Sequence, residues 1–263
     1  MVDTSKYNNN FYKTDWRKES AVNILSALLE LLPKINSAVD FGCGLGTWLA
    51  VLKNLGVNEI KGYDGHWVDR ESLEISRECF TSIDLDKKIT VENRYDLAIS
   101  MEVAEHLPEK SAKNFIGALT TASDIVLFSA GIPYQGGANH INEQWQDYWY
   151  GLFQEFDYVG TDIIRRLVWN DKRIGFWYRQ NVMLYVKKDK LDEIKIPSGG
   201  SEYLNVVHPE MYMKKMANEN IYNMPLFTLY KKIIKRTIKK IVGEKAVEHI
   251  KKNWDRKTSH NDQ

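Results

Sequence analysis

Two carboxylates and an imidazole stand close together in the segment 102–107, which reads EVAEHL. Glu102, Glu105 and His106 occupy positions i, i+3 and i+4, so a helical conformation would place all three side chains on one face. Such a set can hold a divalent cation or provide a general base. A further imidazole, His140, follows in a later loop. We therefore predict a reaction centre with His106, His140 and Glu105 as catalytic candidates and with all four residues as candidate metal ligands.

A glycine-rich turn lies upstream, in residues 38–47, which read AVDFGCGLGT. An apolar run ends near Asp40, and Gly42, Gly44 and Gly46 follow at alternate positions before a helix-like segment. Glycines allow a tight turn and close approach of the backbone, and the helix N-terminus presents unpaired N–H groups. The turn therefore predicts a ligand site at the end of a buried parallel strand. Its third glycine comes one position earlier than in the dinucleotide fingerprint G-x-G-x-x-G, which disfavours a dinucleotide.

The elements that position these residues follow from hydrophobic periodicity. Strands alternating with helices over about 190 residues predict an α/β fold with a doubly wound, mostly parallel sheet. We expect strands at 38–42, 59–64, 80–85, 95–101, 125–130, 157–163 and 181–187. We expect helices over 20–32, 48–56 and, weakly, 68–78, then after Pro108 and around 145–153. The predicted domains are residues 1–195 and a C-terminal extension, 196–263, which carries a basic amphipathic helix.

In such a sheet the ligand lies at the carboxyl ends of the central strands. The glycine turn, Asp64, Asp84-Leu85 and Met101-Glu102 each follow a predicted strand and converge there. An acid in the position of Asp64 can accept hydrogen bonds from both hydroxyls of a ribose. We therefore expect an adenosine nucleoside with a free 2′-hydroxyl.

The combination of motifs resembles class I S-adenosylmethionine-dependent methyltransferases. The turn matches D-x-G-x-G-x-G, and GYDG at 62–65, IDL at 83–85 and YDLAISMEVAEHL at 95–107 follow in that family's order and spacing. The resemblance covers residues 36–190 and implies a seven-stranded Rossmann-like sheet, S-adenosylmethionine as cofactor and methyl transfer. The cofactor-binding residues that it implies are Asp40, Gly42, Gly44, Gly46, Asp64, Gly65, His66, Trp67, Asp84, Leu85 and Met101.

The Glu-x-x-Glu-His motif is similar to that of small-RNA 2′-O-methyltransferases and quinone-pathway O-methyltransferases. In those families it is associated with a divalent metal that positions the acceptor hydroxyls, so the resemblance implies a metal such as Mg²⁺ or Mn²⁺ here. A bound metal would lower the pKa of the acceptor hydroxyl. In other members of the superfamily the glutamates only orient the cofactor or cap the next helix. In that case His106 or His140 is the general base.

The acceptor side is rich in aromatic residues, with twelve of the thirty-one between Tyr134 and Tyr178. Core packing explains about half of them. The others, interspersed with amides and charged residues, suit a polyhydroxylated ring. The candidate acceptor-binding residues are Tyr134, Asn142, Gln144, Trp145, Trp177 and Arg179. Residues 136–145, 177–181 and 206–212 resemble segments of bacterial methyltransferases from surface-polysaccharide and natural-product pathways. The resemblance implies a hydroxyl acceptor on a sugar, sugar nucleotide or polysaccharide precursor.

Charge is distributed unevenly along the 263 residues, although the net charge is only +1. Residues 1–225 carry 25 Lys/Arg against 31 Asp/Glu, and residues 226–263 carry eleven against four. An acidic body disfavours nucleic-acid binding. The basic helix around 226–242 either packs on its own domain or on a homodimer partner, or contacts an anionic membrane surface.

The absence of a long apolar run and of a secretory leader predicts a cytoplasmic protein. The alternative functions are RNA ribose 2′-O-methylation, a non-catalytic cofactor-binding regulator and, least favoured, an NAD-dependent oxidoreductase.

Overall fold

The computed structural model describes residues 15–194 and 204–219, together with six helical residues at 226, 229, 230, 233, 234 and 237. The chain divides into two compact units, residues 1–211 and 212–263. The first unit contains the sheet and the candidate site. The division falls at residue 211, whereas the sequence predicts a boundary at 195.

Seven strands form one sheet in the order β3-β2-β1-β4-β5-β7-β6. The strands are β1 Ser37–Phe41, β2 Glu59–Asp64, β3 Phe80–Ser82, β4 Leu97–Met101, β5 Ile125–Ser129, β6 Tyr158–Thr161 and β7 Met183–Lys187. β7 runs antiparallel to both of its neighbours, and the other pairs are parallel. This topology confirms the predicted doubly wound, seven-stranded, mostly parallel sheet.

Helices cover both faces of the sheet. They are α1 Asp15–Leu31, α2 Thr47–Asn54, α3 Ala112–Ala122, α4 Gln146–Gln154, α5 Ile163–Val168 and α6 Phe176–Asn181; a seventh helix, α7, spans Pro209–Glu219. α1, α2, α5 and α6 contribute to one buried apolar cluster, and α3 and α4 contribute to another. Neighbouring residues of β4 pack into different clusters, Ile99 into the first and Ala98 into the second. Burial on both faces explains why the central strands read as continuous apolar runs.

The segment between β2 and β3 differs from the expected helix over 68–78. It contains only two 3₁₀ turns, Arg70–Ser72 and Arg77–Cys79. The side chain of Asp69 accepts a hydrogen bond from the N–H of Glu71, and the N–H of Glu74 donates to the carbonyl of Leu45 at 2.8 Å. These bonds tie the backbone to the glycine turn and compete with a continuous helix.

The strand order reverses between β1 and β4, which are direct neighbours. In open α/β sheets the ligand crevice lies at the carboxyl ends of the strands beside this switch point. The glycine turn leaves β1 at this edge, and Glu102 leaves β4 beside it. The topology therefore joins the two sequence motifs, which are about sixty residues apart.

Among the described residues, no helix is both long and apolar enough to cross a membrane. The basic helix predicted around 226–242 lies largely outside the described residues, as does the N-terminal arm over 1–14. The dimer and membrane roles of the tail therefore stay predictions.

Candidate active site

The glycine turn after β1 depends on backbone conformations that only glycine adopts readily. Gly42, Gly44 and Gly46 have φ angles of 91°, 56° and 86°. The N–H of Gly42 donates to the carbonyl of Tyr63 at 2.7 Å, which fastens the turn to β2. A Cβ on Gly42 would lie 2.4 Å from a methyl carbon of Val103. The turn is therefore packed directly against the segment that leaves β4.

Asp64 lies at the end of β2 and faces this turn. One carboxylate oxygen accepts the N–H of Gly44 at 2.7 Å, and the other accepts the N–H of Gly65 at 2.6 Å. The indole of Trp67 also hydrogen-bonds the carboxylate. Burial raises the pKa of Asp64 to about 6, although these three hydrogen bonds oppose the shift. These three hydrogen bonds leave one lone pair of the carboxylate, which a ribose hydroxyl can use.

The segment after Asp64 folds back over the turn. The Trp67 indole lies against Gly65, where a Cβ would approach a ring carbon within 2.3 Å. Ile75 packs on Gly46 in the same way, at 2.7 Å. The hydroxyl of Thr47 donates to the carboxylate of Glu74 at 2.7 Å. The turn is therefore enclosed on its outer side, and its backbone N–H groups and Asp64 form a polar cradle.

The remaining predicted cofactor residues border the same edge. Asp40 is buried, and burial followed by the neighbouring Asp64 raises the pKa of its carboxyl well above the ordinary value. Leu85 and Met101 are buried. Asp84 is exposed and pairs with Lys87 at 3.0 Å, which lowers its pKa. His66 is exposed next to Trp67. These residues follow the ends of β1 to β4, as the motifs predicted.

The segment after β4 is not the helix that would align all three candidate groups. Glu102 has a φ of 57°, and a single 3₁₀ turn, Ala104–His106, follows it. The N–H of Glu102 donates to the carbonyl of Ser129, which holds the chain beside the end of β5. Positive φ is uncommon outside glycine and concentrates at functional sites. The bend directs Glu102 toward Gln135 and Asn181, while its carboxylate stays close enough to Glu105 to raise the pKa of that group.

Glu105 is fully buried. Within the described residues, neither of its carboxylate oxygens has a hydrogen-bond partner of normal geometry. Burial and then the nearby Glu102 raise its pKa well above the ordinary value. A buried polar group without a partner costs free energy, typically 1–3 kcal/mol. A buried carboxyl in this condition indicates a ligand-facing group.

Two imidazoles face Glu105. The Nε2 atom of His140 lies 3.9 Å from a carboxylate oxygen of Glu105, and the rings of His106 and His140 pack edge to face with centroids 4.8 Å apart. Burial and then His140 lower the pKa of His106 to about 4, so its ring is neutral at physiological pH. One ligand atom from each of the three residues lies within 4.8 Å of the others. Glu105, His106 and His140 can therefore hold one metal ion.

The ring of His140 is oriented by Glu143. A carboxylate oxygen of Glu143 lies 2.8 Å from Nδ1 of His140, and Glu143 also accepts the N–H groups of Tyr134 and Gly136. Nδ1 therefore carries the proton, and Nε2 is left as a ligand or base directed at Glu105. The loop itself is pinned to the centre, since the carbonyl of Glu105 accepts the N–H groups of Ile141 and Asn142.

Glu102, the fourth predicted metal ligand, has a different environment. Gln135 donates to one carboxylate oxygen at 2.7 Å, and Asn181 donates to the other at 3.0 Å. Burial raises the pKa of Glu102, and these hydrogen bonds oppose the shift. The side chain is half-buried and lies outside the three-residue cluster.

A sequence profile for a methyltransferase domain matches residues 14–176, more than half of the chain. The chain belongs to this methyltransferase-domain family. It is an S-adenosylmethionine-dependent methyltransferase, which confirms the predicted enzyme class and cofactor. A search of curated proteins found no match.

Solved structures share the fold at low sequence identity. DesVI of Streptomyces venezuelae is 11% identical and aligns over 71% of this chain and 99% of its own, with a TM-score of 0.51. Magnesium protoporphyrin IX methyltransferase of Synechocystis with bound S-adenosylmethionine is 16% identical over 66% of this chain and 80% of its own, with a TM-score of 0.47. A third similar structure is that of an O-methyltransferase family protein of Burkholderia thailandensis.

 
The match to that third protein has 11% identity, covers 71% of this chain and 63% of its own, and has a TM-score of 0.47, so this chain spans just under two thirds of its length.

The methyltransferase fits its cofactor at the glycine turn. The N–H groups of Gly44 and Gly65 hold the buried carboxylate of Asp64 beside the turn, where its remaining lone pair could accept a ribose hydroxyl. When bound, S-adenosylmethionine supplies a methyl group already activated on a sulfonium, so the protein has to bind, align and manage a proton. Glu105 and the two imidazoles lie after β4, at the same edge of the sheet.

The predicted acceptor residues of the methyltransferase fall into two groups. Tyr134 is 83% exposed and Trp145 is 39% exposed, and Asn142 and Gln144 lie between them in the loop after β5. Trp177 instead packs edge to face on Trp16, with ring centroids 5.0 Å apart.

Arg179 also lies in the second group. Its buried guanidinium donates to the carbonyl of Trp169 and to the carboxylate of Glu210. The structure therefore brings the loop residues to the reaction centre and engages Trp177 and Arg179 in contacts within the chain.

Three residues that the sequence analysis did not select have defined positions in the site. Glu143 orients His140, whereas Gln135 and Asn181 hold Glu102. Glu143 carries a local signal, because it stands three residues after a candidate histidine. Asn181 lies 79 residues from Glu102, and no local pattern connects the two.

Proposed function

We propose that this methyltransferase transfers a methyl group to a hydroxyl of a small polyhydroxylated acceptor, such as a sugar, a sugar nucleotide or a surface-polysaccharide precursor. The observation that carries the proposal is the buried, unpartnered carboxyl of Glu105 facing two imidazoles at the end of β4. A hydroxyl must lose its proton during transfer, and this cluster provides both a place to bind the oxygen and a base.

We propose further that Glu105, His106 and His140 hold a divalent metal such as Mg²⁺ or Mn²⁺. The carboxylate of Glu105 supports this, since among the described residues neither of its buried oxygens has a hydrogen-bond partner of normal geometry and a cation would satisfy both. Glu143 on the far nitrogen of His140 is the outer-shell partner that metal-binding histidines commonly have. A bound metal would lower the pKa of the acceptor hydroxyl.

The proton has a path within this set of residues. His140, held through Nδ1 by Glu143, presents Nε2 toward Glu105 and can accept the hydroxyl proton there. His106 is a second neutral imidazole at the centre because its pKa is lowered to about 4. Without a metal, His140 or His106 would be the base; with a metal bound, both rings would be ligands, and the metal would promote loss of the hydroxyl proton by lowering its pKa.

The rim of the site supports a ring-shaped polar acceptor. Tyr134, Ile141 and Trp145 are exposed on the loop after β5, and Gln144 lies beside Trp145. Aromatic faces next to amide groups suit the apolar faces and hydroxyl edges of a sugar. A nucleotide-sugar acceptor agrees with the predicted cytoplasmic location.

The proposal is tested with a panel of nucleotide sugars, free glycans, RNA and protein, using S-adenosylmethionine labelled in its methyl group. We expect label in a saccharide as a base-stable methyl ether, and no transfer by Glu105→Gln. Transfer to RNA or protein with none to any saccharide would overturn the assignment.

The metal is tested separately with Mn²⁺ alone, titrated into chelator-treated protein and followed by calorimetry. We expect one site that Glu105→Gln and His140→Ala abolish and that Glu143→Gln weakens by about 10–100-fold. Glu74→Gln, remote from the cluster, is the matched control. Full activity after exhaustive chelation, together with no Mn²⁺ binding, would contradict the metal proposal and leave His140 or His106 as the base.

A further inference from the structure

The segment 204–210 is tied to three different elements of the fold by polar contacts. Arg165 on α5 donates to the carbonyl of Leu204 at 3.0 Å, and Gln146 on α4 donates to the carbonyl of Val206 at 3.1 Å. Gln180 on α6 accepts the N–H of His208 at 2.8 Å. The segment lies beyond residue 176, where the match to the methyltransferase domain ends. We refer to residues 204–210 as the strap.

A row of three side-chain amides leads from the strap to the reaction centre. Gln180 donates to the carbonyl oxygens of Asn181 and Gln135 at 2.9 and 3.2 Å. Asn181 and Gln135 then donate to the two oxygens of Glu102 at 3.0 and 2.7 Å. Gln180 and Asn181 are buried, with 0% and 2% exposure.

The two ends of this row decide how the amides are oriented. A side-chain amide can be turned around with little change in shape, so its orientation depends on its partners. The N–H of His208 only donates and therefore selects the carbonyl end of Gln180. The carboxylate of Glu102, when ionised, only accepts and selects the NH₂ ends of Asn181 and Gln135. Both ends favour the same orientation, which leaves the row internally satisfied.

We propose that the strap is a positioning device for methyl transfer, which fixes the carboxylate of Glu102 through the N–H of His208 and the amides of Gln180, Asn181 and Gln135. These are positioning residues, since they act on the acceptor through Glu102. The inference rests on the proposed function in one respect, namely that Glu102 faces the acceptor.

Two substitutions at position 208 separate the role of the backbone N–H from that of the side chain. His208→Pro deletes the N–H, and Pro209 already biases position 208 toward extended conformations that proline tolerates. His208→Ala is the matched control, because it removes the imidazole and retains the N–H. Gln180→Glu is a second, nearly isosteric variant that presents an oxygen where the row requires NH₂.

The first readout needs no acceptor. The side-chain NH₂ resonances of Asn181 and Gln135 are followed by NMR in protein labelled at asparagine and glutamine, and Glu102→Gln identifies the signals that report the carboxylate. We expect His208→Pro and Gln180→Glu to shift these signals and His208→Ala to leave them in place. A folded His208→Pro protein and a folded Gln180→Glu protein with both signals unmoved would overturn the relay.

The second readout is methyl transfer to the saccharide found in the acceptor panel. We expect Gln180→Glu to lower kcat by at least about tenfold, since charge-assisted hydrogen bonds are disturbed. The Kd for S-adenosylhomocysteine should stay within about twofold, because the cofactor cradle is not touched. In a Glu102→Gln background the same substitution should have little further effect, whereas additive losses would show a merely structural role and overturn the proposal.

The two readouts separate this inference from the proposed function. If the NMR signals shift as expected but no saccharide is methylated, the acceptor assignment fails and the relay stands. If a saccharide is methylated but the signals and kcat do not respond, the relay fails alone.

Discussion

The cofactor half and the acceptor half of this methyltransferase are built by different means. In the cofactor half, residues 37–85, the site consists of a turn with three positive-φ glycines and of the buried carboxylate of Asp64, which backbone N–H groups hold. In the acceptor half, from Glu102 onward, side chains up to 79 residues apart meet in hydrogen bonds and in a carboxylate–imidazole cluster.

Because of this difference, we expect the two halves to tolerate different amino-acid substitutions. A backbone cradle needs particular conformations, so a single added Cβ disturbs it while most side-chain identities matter little. A side-chain centre tolerates backbone variation but loses its chemistry when one functional group changes. The five predictions below test this contrast, from the largest expected effect to the smallest.

The largest effect is expected for Glu105→Gln, which keeps the shape and removes the charge. Methyl transfer should fall by about 10²–10⁴-fold, as for loss of a group that handles the acceptor proton. The measurement is kcat/KM with the saccharide acceptor. A loss of less than about threefold would show that Glu105 takes no part in the chemistry.

The same substitution should not destabilise the metal-free protein. The folded-state pKa of Glu105 is raised, so its stabilising contribution is present below the unfolded-state pKa and is lost as pH rises through the folded-state value. The variant should therefore be more stable than the wild type at pH 7, and this gap should close as pH falls toward about 4. Chemical denaturation at several pH values measures it.

Gly42→Ala tests the backbone cradle, and Gly56→Ala is its matched control. Both glycines have positive φ, 91° and 100°, but a Cβ at 42 would meet Val103 at 2.4 Å and one at 56 would meet nothing within 4 Å. Gly56→Ala should cost about 1–2 kcal/mol of unfolding free energy. Gly42→Ala should cost about 1–3 kcal/mol more.

The clash itself can be relieved in part. Val103→Ala, combined with Gly42→Ala, removes the two methyl carbons nearest to the added Cβ and should recover some of the loss. Equal destabilisation by Gly42→Ala and Gly56→Ala would show that packing against Val103 contributes nothing.

Asp64 makes cofactor binding depend on pH. Its folded-state pKa is raised to about 6 by burial, and only the ionised carboxylate acts purely as an acceptor toward the ribose. The affinity for S-adenosylhomocysteine should therefore fall about tenfold between pH 7 and pH 5, since one pKa unit corresponds to a tenfold change. Calorimetry measures it. Asp64→Asn should bind weakly at both values, and an unchanged slope in that variant would assign the titration to another group, such as Asp40.

The smallest effect is expected at the rim of the acceptor site. Trp145→Ala should raise the acceptor KM by about 2–10-fold through loss of one aromatic contact, with the melting temperature nearly unchanged because Trp145 is 39% exposed. Leu167→Ala, at an exposed position of α5, is the control. An unchanged acceptor KM would show that the acceptor does not contact Trp145.

The sequence predicted the fold well because its signals are local. The apolar run of β4, Leu97–Met101, is buried on both faces, and the glycine spacing predicted both the turn and the cofactor. The 68–78 segment was predicted wrongly as a helix. Its weak periodicity was outweighed by the Asp69 side-chain cap and by the bond from Glu74 to the glycine turn.

The acceptor half was less predictable, since helical spacing suggested one face for Glu102, Glu105 and His106. Glu102 instead has a positive φ, and its carboxylate accepts hydrogen bonds from Gln135 and Asn181. Trp177 is aromatic and Arg179 is polar, as an acceptor site requires. In the folded protein, however, Trp177 packs on Trp16 and Arg179 donates to Glu210. Residue type alone does not distinguish a side chain that faces a ligand from one that faces its own chain.

The sequence by itself determined the sheet, the glycine turn, Asp64 and the cofactor, because these depend on conformations and spacings within a few residues. Only the tertiary structure decided that Glu105 is buried facing two imidazoles, that Glu143 orients His140, and that the strap reaches Glu102 through three amides. Those relations join residues that are distant along the chain. They arise because β4, β5, α6 and the strap meet at one edge of the sheet, a proximity that no local pattern encodes.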